Sequence, residues 1–322
     1  MITFADIRDA HTRIKNFINR TPIMTSRTID EMCDASLFFK CENLQRAGAF
    51  KARGAMNTLS LLTDEEKNRG VVTHSSGNHA QALALASRMV GVRATIVMPK
   101  SAPRVKVEAT RGYDAEVVFC DDTEADRIAT TESLIESHGY TMVHPYDDDR
   151  IICGAATAAW ELLEDIGGID VIVAPVGGGG LLSGTSLAAK LSDERIRVYA
   201  VEPKGADDAY RSYRKGEIVK NDRVATIADG LRTSLSPRTF SIIREHVDGI
   251  ITVSDREIIE AMRLLWERMK IVVEPSGAVP LAGILKNDIQ IAKKRVGVIL
   301  SGGNIDLGGF FEMLDKKIMD GS

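Results

Sequence analysis

The feature that most constrains the fold of this chain is the alternation of short apolar runs with longer segments of helical periodicity. The runs are rich in Val, Ile and Ala, and several end directly in loops that contain Gly or Ser. This alternation is typical of an α/β fold in which a mainly parallel sheet has helices on its faces. The predicted strands are Leu37–Lys40, Val71–His74, Ala94–Val97, Ala115–Phe119, Val171–Pro175, Arg197–Val201, Gly249–Val253 and Val296–Leu300. The predicted helices are Phe4–Ile18, Ala49–Leu62, Asn78–Val90, Pro103–Arg111, Asp122–His138, Ile151–Ile166, Leu181–Lys190, Asp255–Met269 and Ser276–Lys286.

The composition excludes several classes of protein. With 322 residues, of which 44% are hydrophobic and 27% charged, the chain is long enough for one large or two smaller globular domains. A formal net charge of −4 gives no electrostatic reason to expect a nucleic-acid or membrane partner. The N-terminus lacks an apolar signal segment, no apolar run reaches membrane-spanning length, and the four cysteines show no CxxC or zinc spacing. We therefore expect a cytoplasmic enzyme or binding protein with reduced thiols.

The chain is expected to form two domains. The segment from about 70 to 143 has its own succession of three strands and three helices, followed by a short strand. Such a succession is sufficient for a small α/β unit. We predict a small domain over residues 70–145 and a large domain formed by residues 1–69 and 146–322.

Four consecutive glycines, Gly177–Gly180, stand between a predicted strand and a predicted helix. Glycine costs conformational entropy on folding, so a run of four needs a physical reason, and a tight turn requires fewer. Bare backbone N–H groups at a helix N-terminus form a site for an anion. Two further loops, Ser75–Asn78 and Ser301–Asn304, also follow predicted strands. Because ligands bind at the carboxyl ends of parallel strands, the three loops predict one composite site.

The glycines alone leave the identity of the anion open. No GxxxxGK[ST] motif is present, which excludes a P-loop. A dinucleotide site is one alternative, because Gly178, Gly180 and Gly184 form a loosened GxGxxxG motif. Glu202 then lies 22 residues after Gly180, near where an acid that binds a ribose is expected. A cofactor with a single phosphate is the other alternative.

One lysine has unusual neighbours. Lys51 lies among small residues in the stretch GAFKARGA, directly after Phe50. Most lysines are solvated surface charges, but here the small neighbours leave room for a flat group against which Phe50 can pack. A lysine near a phosphate-binding loop suggests a Schiff base to pyridoxal phosphate (PLP).

With these motifs the chain resembles the serine/threonine dehydratase and serine racemase family of fold-type II PLP enzymes. The motifs occur in order along essentially the whole chain: GAFKARGA at 48–55, SSGNHAQ at 75–81, PVGGGGLLSG at 175–184, EPKGADD at 202–208, WERMKIVVEPSGA at 266–278 and SGGNIDL at 301–307. The resemblance implies a tryptophan synthase β-like α/β fold whose small domain closes over the active site. It makes PLP the expected cofactor and an NAD-dependent oxidoreductase a minor alternative.

The resemblance also implies residue roles. Lys51 holds the cofactor and is the general base for the substrate α-proton, and Ser76 matches the second acid/base that racemases place on the opposite face. The implied cofactor-binding residues are Phe50, Lys51, Asn78, Gly177, Gly178, Gly179, Gly180, Leu181 and Ser301. The implied residues for the substrate carboxylate are Ser75, Ser76, Gly77, Asn78 and His79. Ser76 or Asn78 also suits the cap of the following helix, and His74 and His79 are expected to be structural.

The EPKGADD segment offers oxygen ligands on a short loop. In the family the first acid, the alanine carbonyl and the last aspartate bind a cation, so the resemblance implies Mg²⁺ or Ca²⁺ at Glu202, Ala206 and Asp208. A loop that caps a helix is the alternative. A second acidic run, Asp147–Asp149, is expected to be a solvated turn.

The expected activity is that of a PLP-dependent ammonia-lyase that converts L-threonine or L-serine to 2-oxobutyrate or pyruvate and ammonia. A serine racemase that uses Lys51 and Ser76, with dehydratase side activity, is the alternative. The sequence does not separate these substrates from 3-hydroxyaspartate. Tyr146-Asp147-Asp148 is more similar to the dehydratases than to mammalian-type racemases.

Partners follow from the same resemblance. A small amino-acid substrate and a homodimer are expected, and a nucleotide effector is left open. Arg46 and Ala47 replace a lysine and a threonine of the nucleotide-binding set found in some racemases. The residues that match that set are Gln81, Tyr113, Lys270 and Asn304.

Overall fold

Ten strands form two separate sheets in the computed structural model, which describes residues 2–312 of the chain. The strands are β1 (Ile23–Met24), β2 (Ser36–Cys41), β3 (Val71–His74), β4 (Ala94–Pro99), β5 (Glu116–Cys120), β6 (Thr141–Met142), β7 (Val171–Pro175), β8 (Arg197–Pro203), β9 (Gly249–Val253) and β10 (Arg295–Leu300). The α-helices are α1 (Phe4–Ile14), α2 (Arg27–Cys33), α3 (Lys51–Ser60), α4 (Asp64–Arg69), α5 (Asn78–Val90), α6 (Arg104–Arg111), α7 (Glu124–His138), α8 (Asp149–Ile166), α9 (Gly180–Ser192), α10 (Asp208–Lys215), α11 (Pro237–His246), α12 (Asp255–Leu264) and α13 (Pro275–Leu285). Shorter helical turns lie at Glu42–Leu44, Arg46–Gly48, Lys204–Ala206, Asp229–Leu231 and, as a π-helical turn, Leu265–Met269.

The strand order confirms the predicted α/β class with mainly parallel sheets. The larger sheet has the order β1-β2-β10-β7-β8-β9, and the smaller sheet has the order β5-β4-β3-β6. All neighbouring strands are parallel except β1 and β2. The smaller sheet is formed between residues 71 and 142, and the larger sheet by the chain before and after it. The domain boundaries at 70 and 145 stay a prediction.

The central strands of the larger sheet are apolar along their whole length because both faces of the sheet are covered. Val171 and Val173 of β7 join the core on one face, and Ile172 and Ala174 join the core on the other. This division follows from the alternation of side chains along a strand. The smaller sheet packs through Ile96 of β4 into a core that it shares with α5, α3 and α1.

Several helices differ from the predicted ones. The helix that begins at Lys51 was predicted to start at Ala49, but Ala49 is held in an extended bridge with Gly302. The predicted helix Phe4–Ile18 ends at Ile14, and α12 passes into a π-helical turn after Leu264. Four helices were not predicted; they are α2, α4, α10 and α11, with 7, 6, 8 and 10 residues.

Each predicted site loop follows the carboxyl end of a strand. The first connects β3 to α5, the second connects β7 to α9, and the third follows β10. No helix within residues 2–312 is long and apolar enough to cross a membrane. The four cysteines are free thiols.

Candidate active site

Lys51 is the first residue of α3 and its amine lies in a poorly solvated place. The Nζ atom donates a hydrogen bond to the Pro145 carbonyl at 2.6 Å and lies 5.1 Å from the centroid of the Phe50 ring. Burial lowers the pKa of the Lys51 amine to about 8. Within residues 2–312 no carboxylate forms an ion pair with it. More of this amine is therefore neutral and nucleophilic at neutral pH than is usual for lysine.

The segment before Lys51 is joined to the loop after β10. The Phe50 N–H donates to the Ser301 carbonyl at 3.0 Å, and the Gly303 N–H donates to the Gly48 carbonyl at 2.9 Å. Ser301 itself is 3% exposed. The structure thus brings Phe50, Lys51 and Ser301 together, although 250 residues of sequence separate Lys51 from Ser301.

The glycine run connects β7 to α9, and the protein itself occupies much of the space that side chains would need. A Cβ atom added at Gly178 would lie 2.5 Å from the Tyr146 ring, and one added at Gly177 would lie 2.9 Å from the Leu231 Cα. Gly179 has φ +91°, a left-handed conformation that favours glycine. Close approach by the protein's own residues is therefore one reason for the glycines.

The same loop also fits an anion. Gly178 N–H donates to Thr233 Oγ1 at 2.9 Å, so this donor is in use. Within residues 2–312, the N–H groups of Gly179, Gly180 and Leu181 enter no hydrogen bond. They stand at the N-terminus of α9, where unused donors and the helix dipole suit a phosphate group. The cradle is therefore compatible with the phosphate of PLP.

The loop between β3 and α5 faces open space. A Cβ added at Gly77 would meet no atom within 4 Å. Gly77 is the N-cap of α5 and no side chain caps this helix, so the expectation that Ser76 or Asn78 caps it is wrong. The Ser75 hydroxyl accepts a hydrogen bond from the Gly77 N–H at 3.3 Å. An uncapped helix N-terminus leaves backbone donors for an anion such as a carboxylate.

Glu274 is a candidate site residue that sequence reasoning missed, although it lies in the quoted motif WERMKIVVEPSGA. Asn78 Nδ2 donates to Glu274 Oε1 at 2.7 Å, and Asn304 Nδ2 donates to Asn78 Oδ1 at 2.9 Å. The Asn78 amide is therefore held from both ends. Glu274 is 3% exposed, and burial raises its pKa to about 8, with a smaller contribution from the charge of Asp229. The carboxyl is mostly neutral at pH 7.

Two histidines near Lys51 are neutral and bonded to the backbone. His79 Nε2 donates to the Val143 carbonyl at 3.0 Å, and burial lowers the pKa of His79 to about 3. His144 Nδ1 accepts from the Asp147 N–H at 2.8 Å, and burial lowers its pKa to about 4. These contacts favour the structural interpretation of the His79 side chain. Its backbone remains part of the predicted carboxylate loop.

The EPKGADD segment combines a helix cap with two buried carboxylates. Glu202 accepts from the N–H groups of Ala209 and Tyr210 at 3.0 and 2.8 Å, so it caps α10 as the alternative interpretation requires. Asp208 accepts from Asn221 Nδ2 at 2.6 Å. Burial raises the pKa of both carboxyls, that of Asp208 to about 6, and the charge of Asp208 raises the pKa of Glu202 further. Neither carboxylate has a cationic partner within residues 2–312, which suits a bound cation.

Two other expectations need correction. The run Asp147–Asp149 is more than a solvated turn, because Asp148 caps α8 and its two neighbours form ion pairs with Arg238 at 3.0 and 2.6 Å. The geometry gives the dinucleotide alternative no support. A Cβ at Gly184 would lie 2.7 Å from the backbone of α8, so the packing of α9 on α8 accounts for this glycine, and the backbone contacts of Glu202 are those of a helix cap.

Comparison with known proteins agrees with this geometry. Residues 14–302 match the family model described as pyridoxal-phosphate dependent enzyme. The chain is 49% identical over 318 residues to a serine racemase of Dictyostelium discoideum, with 98% of each chain covered. It is 46% identical over 316 residues to an L-threo-3-hydroxyaspartate ammonia-lyase of Saccharomyces cerevisiae, covering 98% of this chain and 97% of the relative. The solved structure of the T.th. threonine deaminase superposes with a TM-score of 0.90 at 43% identity, covering 95% of this chain and 99% of that one. The chain therefore belongs to the pyridoxal-phosphate-dependent enzymes of fold type II.

Proposed function

We propose that this protein is an ammonia-lyase for small β-hydroxy amino acids, converting L-threonine or L-serine to 2-oxobutyrate or pyruvate and ammonia. The observation that carries the proposal is the Lys51 amine, whose pKa is lowered to about 8 beside the loop that follows β10. Bound PLP supplies an electron-accepting ring that stabilises the negative charge left at the substrate Cα. The protein has to bind the cofactor and the substrate and to take one proton from the substrate Cα.

The residues around Lys51 provide contacts for both the cofactor and the substrate carboxylate. The unused N–H groups of Gly179, Gly180 and Leu181 would hold the phosphate, and Gly177 and Gly178 complete the loop. Other cofactor contacts are proposed for Phe50 next to Lys51, for Asn78 with its fixed amide, and for the Ser301 hydroxyl at the end of β10. The substrate carboxylate would bind the backbone and hydroxyl donors of residues 75–79, where α5 lacks a side-chain cap.

Lys51 is the proposed general base. The Lys51 amine would take the α-proton of the bound substrate, and its lowered pKa leaves a larger unprotonated fraction near neutral pH than an ordinary lysine has. Loss of the β-hydroxyl as water, followed by hydrolysis of the resulting enamine to the keto acid and ammonia, would complete the reaction. Lys51→Ala is expected to abolish keto-acid formation and to leave the far-UV circular dichroism unchanged. Full activity of this variant would refute the proposal.

A serine racemase is the second candidate, and one observation favours it. No hydrogen bond within residues 2–312 engages the half-buried Ser76 hydroxyl, which leaves it available as the second acid/base. A serine hydroxyl is a weak acid unless its surroundings lower its pKa, so we expect elimination to exceed racemisation. Incubation with a panel of hydroxy amino acids, with keto acid and inverted enantiomer measured together, separates the two functions.

Arg127 makes 3-hydroxyaspartate a further candidate substrate. This residue lies on α7, which packs against β3, and within residues 2–312 its buried Nε has no hydrogen-bond partner. Its positive charge contributes to the lowered pKa of His74, the residue directly before Ser75, after the larger effect of burial. A guanidinium close to the carboxylate loop suits a second carboxylate on the substrate. Arg127→Met should lower kcat/KM for 3-hydroxyaspartate more than for L-serine. Arg111→Met, on the exposed end of α6, is the control.

The proposal also includes a bound cation, an oligomeric state and a cellular location. We assign Mg²⁺ or Ca²⁺ to Glu202, the Ala206 carbonyl and Asp208, supported by two buried carboxylates without a cationic partner among the described residues. The implied homodimer is testable by light scattering, and a nucleotide effector by assays with added ATP. A cytoplasmic location is testable by cell fractionation.

A further inference from the structure

Four charged side chains are completely enclosed beside the first turn of α3. They are Lys40 on β2, Glu42 in the turn that follows it, Arg53 on α3 and Glu161 on α8, and their exposed fractions are 0, 0, 0 and 1%. We call these four residues the buried charge cluster. It holds two positive and two negative groups. None of the motif assignments gives it a role.

Arg53 is the centre of the cluster. Its Nε and Nη2 donate to the two Glu42 oxygens at 2.7 and 2.8 Å, and its Nη1 and Nη2 donate to the two Glu161 oxygens at 2.8 Å. Nη1 also donates to Thr157 Oγ1 at 3.1 Å. All five N–H donors of the guanidinium are therefore used. Two forked carboxylate contacts fix both the position and the plane of this group.

The remaining members are paired as well. Lys40 Nζ donates to Glu161 at 2.6 Å and to the Thr21 carbonyl at 2.8 Å, and the Thr21 hydroxyl donates to Glu42 at 2.5 Å. Buried ion pairs add little net stability compared with apolar side chains of the same size. What such a network does supply is a single defined geometry. This makes a positional role for the cluster a better explanation than a contribution to stability.

The backbone of α3 is also docked directly on α8 at this level. A Cβ added at Gly154 would lie 2.6 Å from the Arg53 carbonyl and 2.6 Å from the Gly54 Cα. The two helices therefore touch without an intervening side chain. On the other side of Lys51, Ala49 is bridged to Gly302. Lys51 thus lies between two fixed attachments, each within two residues of it.

We propose that Arg53 is a positioning residue for Lys51, and that the buried charge cluster holds the first turn of α3 so that the Lys51 amine keeps its place beside the Ser301 loop. The inference rests on the proposed role of Lys51 as the cofactor lysine. Arg53 acts through the helix and takes no part in bond making.

The cluster carries no net charge, so replacing one of its charged side chains by a neutral one leaves an unbalanced charge near Lys51. The titratable groups that face Lys51 from the other elements, His79 on α5 and His144 after β6, are neutral at pH 7. Arg53→Met leaves an excess negative charge behind α3, which favours the protonated Lys51 amine. Glu161→Gln leaves an excess positive charge there, which favours the neutral amine.

Two readouts test the positioning role. The first is the visible circular dichroism of the cofactor at saturating PLP in the full-length holoenzyme, which reports the geometry around the lysine. The second is competitive labelling of the apoenzyme with acetic anhydride over a range of pH, measured at Lys51 by peptide mass spectrometry. We expect both charge variants to lose much of the visible circular dichroism and to shift the labelling midpoint in opposite directions. Arg53→Met should also lower kcat on the order of 100-fold with little change in KM, as a misplacement of about 1 Å does.

Leu59→Ala is the matched control. Leu59 is fully buried on the same helix, two turns away from the cluster, so this variant lowers thermal stability without touching the first turn. It should leave the circular dichroism and the Lys51 labelling unchanged. Arg53→Lys keeps the charge but loses the forked contacts, and should restore the labelling midpoint but not the circular dichroism.

The possible results distinguish a failure of the positioning role of Arg53 from a failure of the proposed role of Lys51. If both charge variants behave like Leu59→Ala, the positioning role is refuted. If Arg53→Met does not fold, Thr157→Val decides: it removes one of the five acceptors and should reduce the circular dichroism, and an unchanged signal refutes the proposal. Wild-type protein without cofactor absorption, or Lys51→Ala with an undiminished covalent adduct, would instead refute the proposed role of Lys51.

Discussion

Replacing Glu274 by glutamine is expected to remove a pH dependence of stability that the wild-type protein has. The carboxyl is 3% exposed and its pKa is raised from 4.5 to about 8, mainly by burial. A carboxyl with a raised folded-state pKa stabilises the fold fully below the unfolded pKa, and this contribution is lost as pH rises through the folded pKa. The wild-type protein should therefore become less stable between about pH 4.5 and pH 8.

The magnitude follows from the difference between the two pKa values. A difference of about 3.5 units, at about 1.4 kcal/mol per unit, corresponds to about 5 kcal/mol in the free energy of unfolding. Relaxation around the ionised carboxyl reduces this figure, and we expect about 3 to 5 kcal/mol. Glutamine stays neutral and retains the oxygen that accepts from Asn78 Nδ2, so Glu274→Gln should lack the loss while keeping the amide of Asn78 in place.

The assay is urea unfolding of the apoenzyme at a series of pH values between about 5 and 9, where the Glu274 carboxyl changes its charge. The wild-type curve should fall relative to that of Glu274→Gln as pH rises, and the gap should level off above the folded pKa. Glu132→Gln, which removes an exposed carboxyl on α7, is the control and should follow the wild type. Parallel curves for the wild type and Glu274→Gln would refute the reasoning.

Three further predictions concern the loops. Gly178→Val should lower PLP content after dialysis, because the new side chain would collide with Tyr146 at 2.5 Å and displace the loop; unchanged retention counts against the cradle. EDTA should lower activity or the thermal midpoint, with recovery on adding Mg²⁺ or Ca²⁺, and Asp208→Asn should remove this response; no effect of EDTA in either assay would leave the segment as a helix cap. Ser76→Ala should nearly abolish inversion of L-serine and action on D-serine while substantial elimination remains; a parallel loss of both activities would mean that Ser76 serves the carboxylate and is not a second base.

Part of the candidate site was predictable because its signals are local. The strands β7 and β10 are parallel neighbours in the larger sheet, so the loops that follow them lie at one edge of it. The strand β3 belongs to the smaller sheet, and only the fold brings the loop after it to Asn304, which donates to Asn78. What fills the space around those loops was not predictable. Tyr146 and Leu231 approach the glycine run from distant parts of the chain, and no periodicity indicates which side chain occupies the space that a glycine leaves.

Which charged residues are buried was also not predictable from the sequence. Glu274 was visible within a motif, but only the fold determines that its carboxyl is enclosed and contacts Asn78. Arg53 follows Lys51 by two residues, and an arginine in a helix is by default a solvated residue. The capping expectation for Ser76 was wrong for a similar reason, since the backbone conformation at Gly77 decides where α5 begins.

Within residues 2–312, the ionisable groups named around Lys51 share one property, which is that none of them offers the amine an unbalanced charge at neutral pH. Burial keeps His79 and His144 unprotonated and keeps Glu274 mostly protonated, while the charges of Arg53 and Lys40 are matched by two carboxylates. The pKa of Lys51 is accordingly lowered by desolvation and not by a nearby cation. A base tuned in this way, which is the role proposed for Lys51, has a larger neutral fraction near neutral pH than an ordinary lysine, and within residues 2–312 no carboxylate pairs with it to hold it in the charged form afterwards. The amine can therefore give the proton up again, as the proposed role of Lys51 in repeated turnover requires.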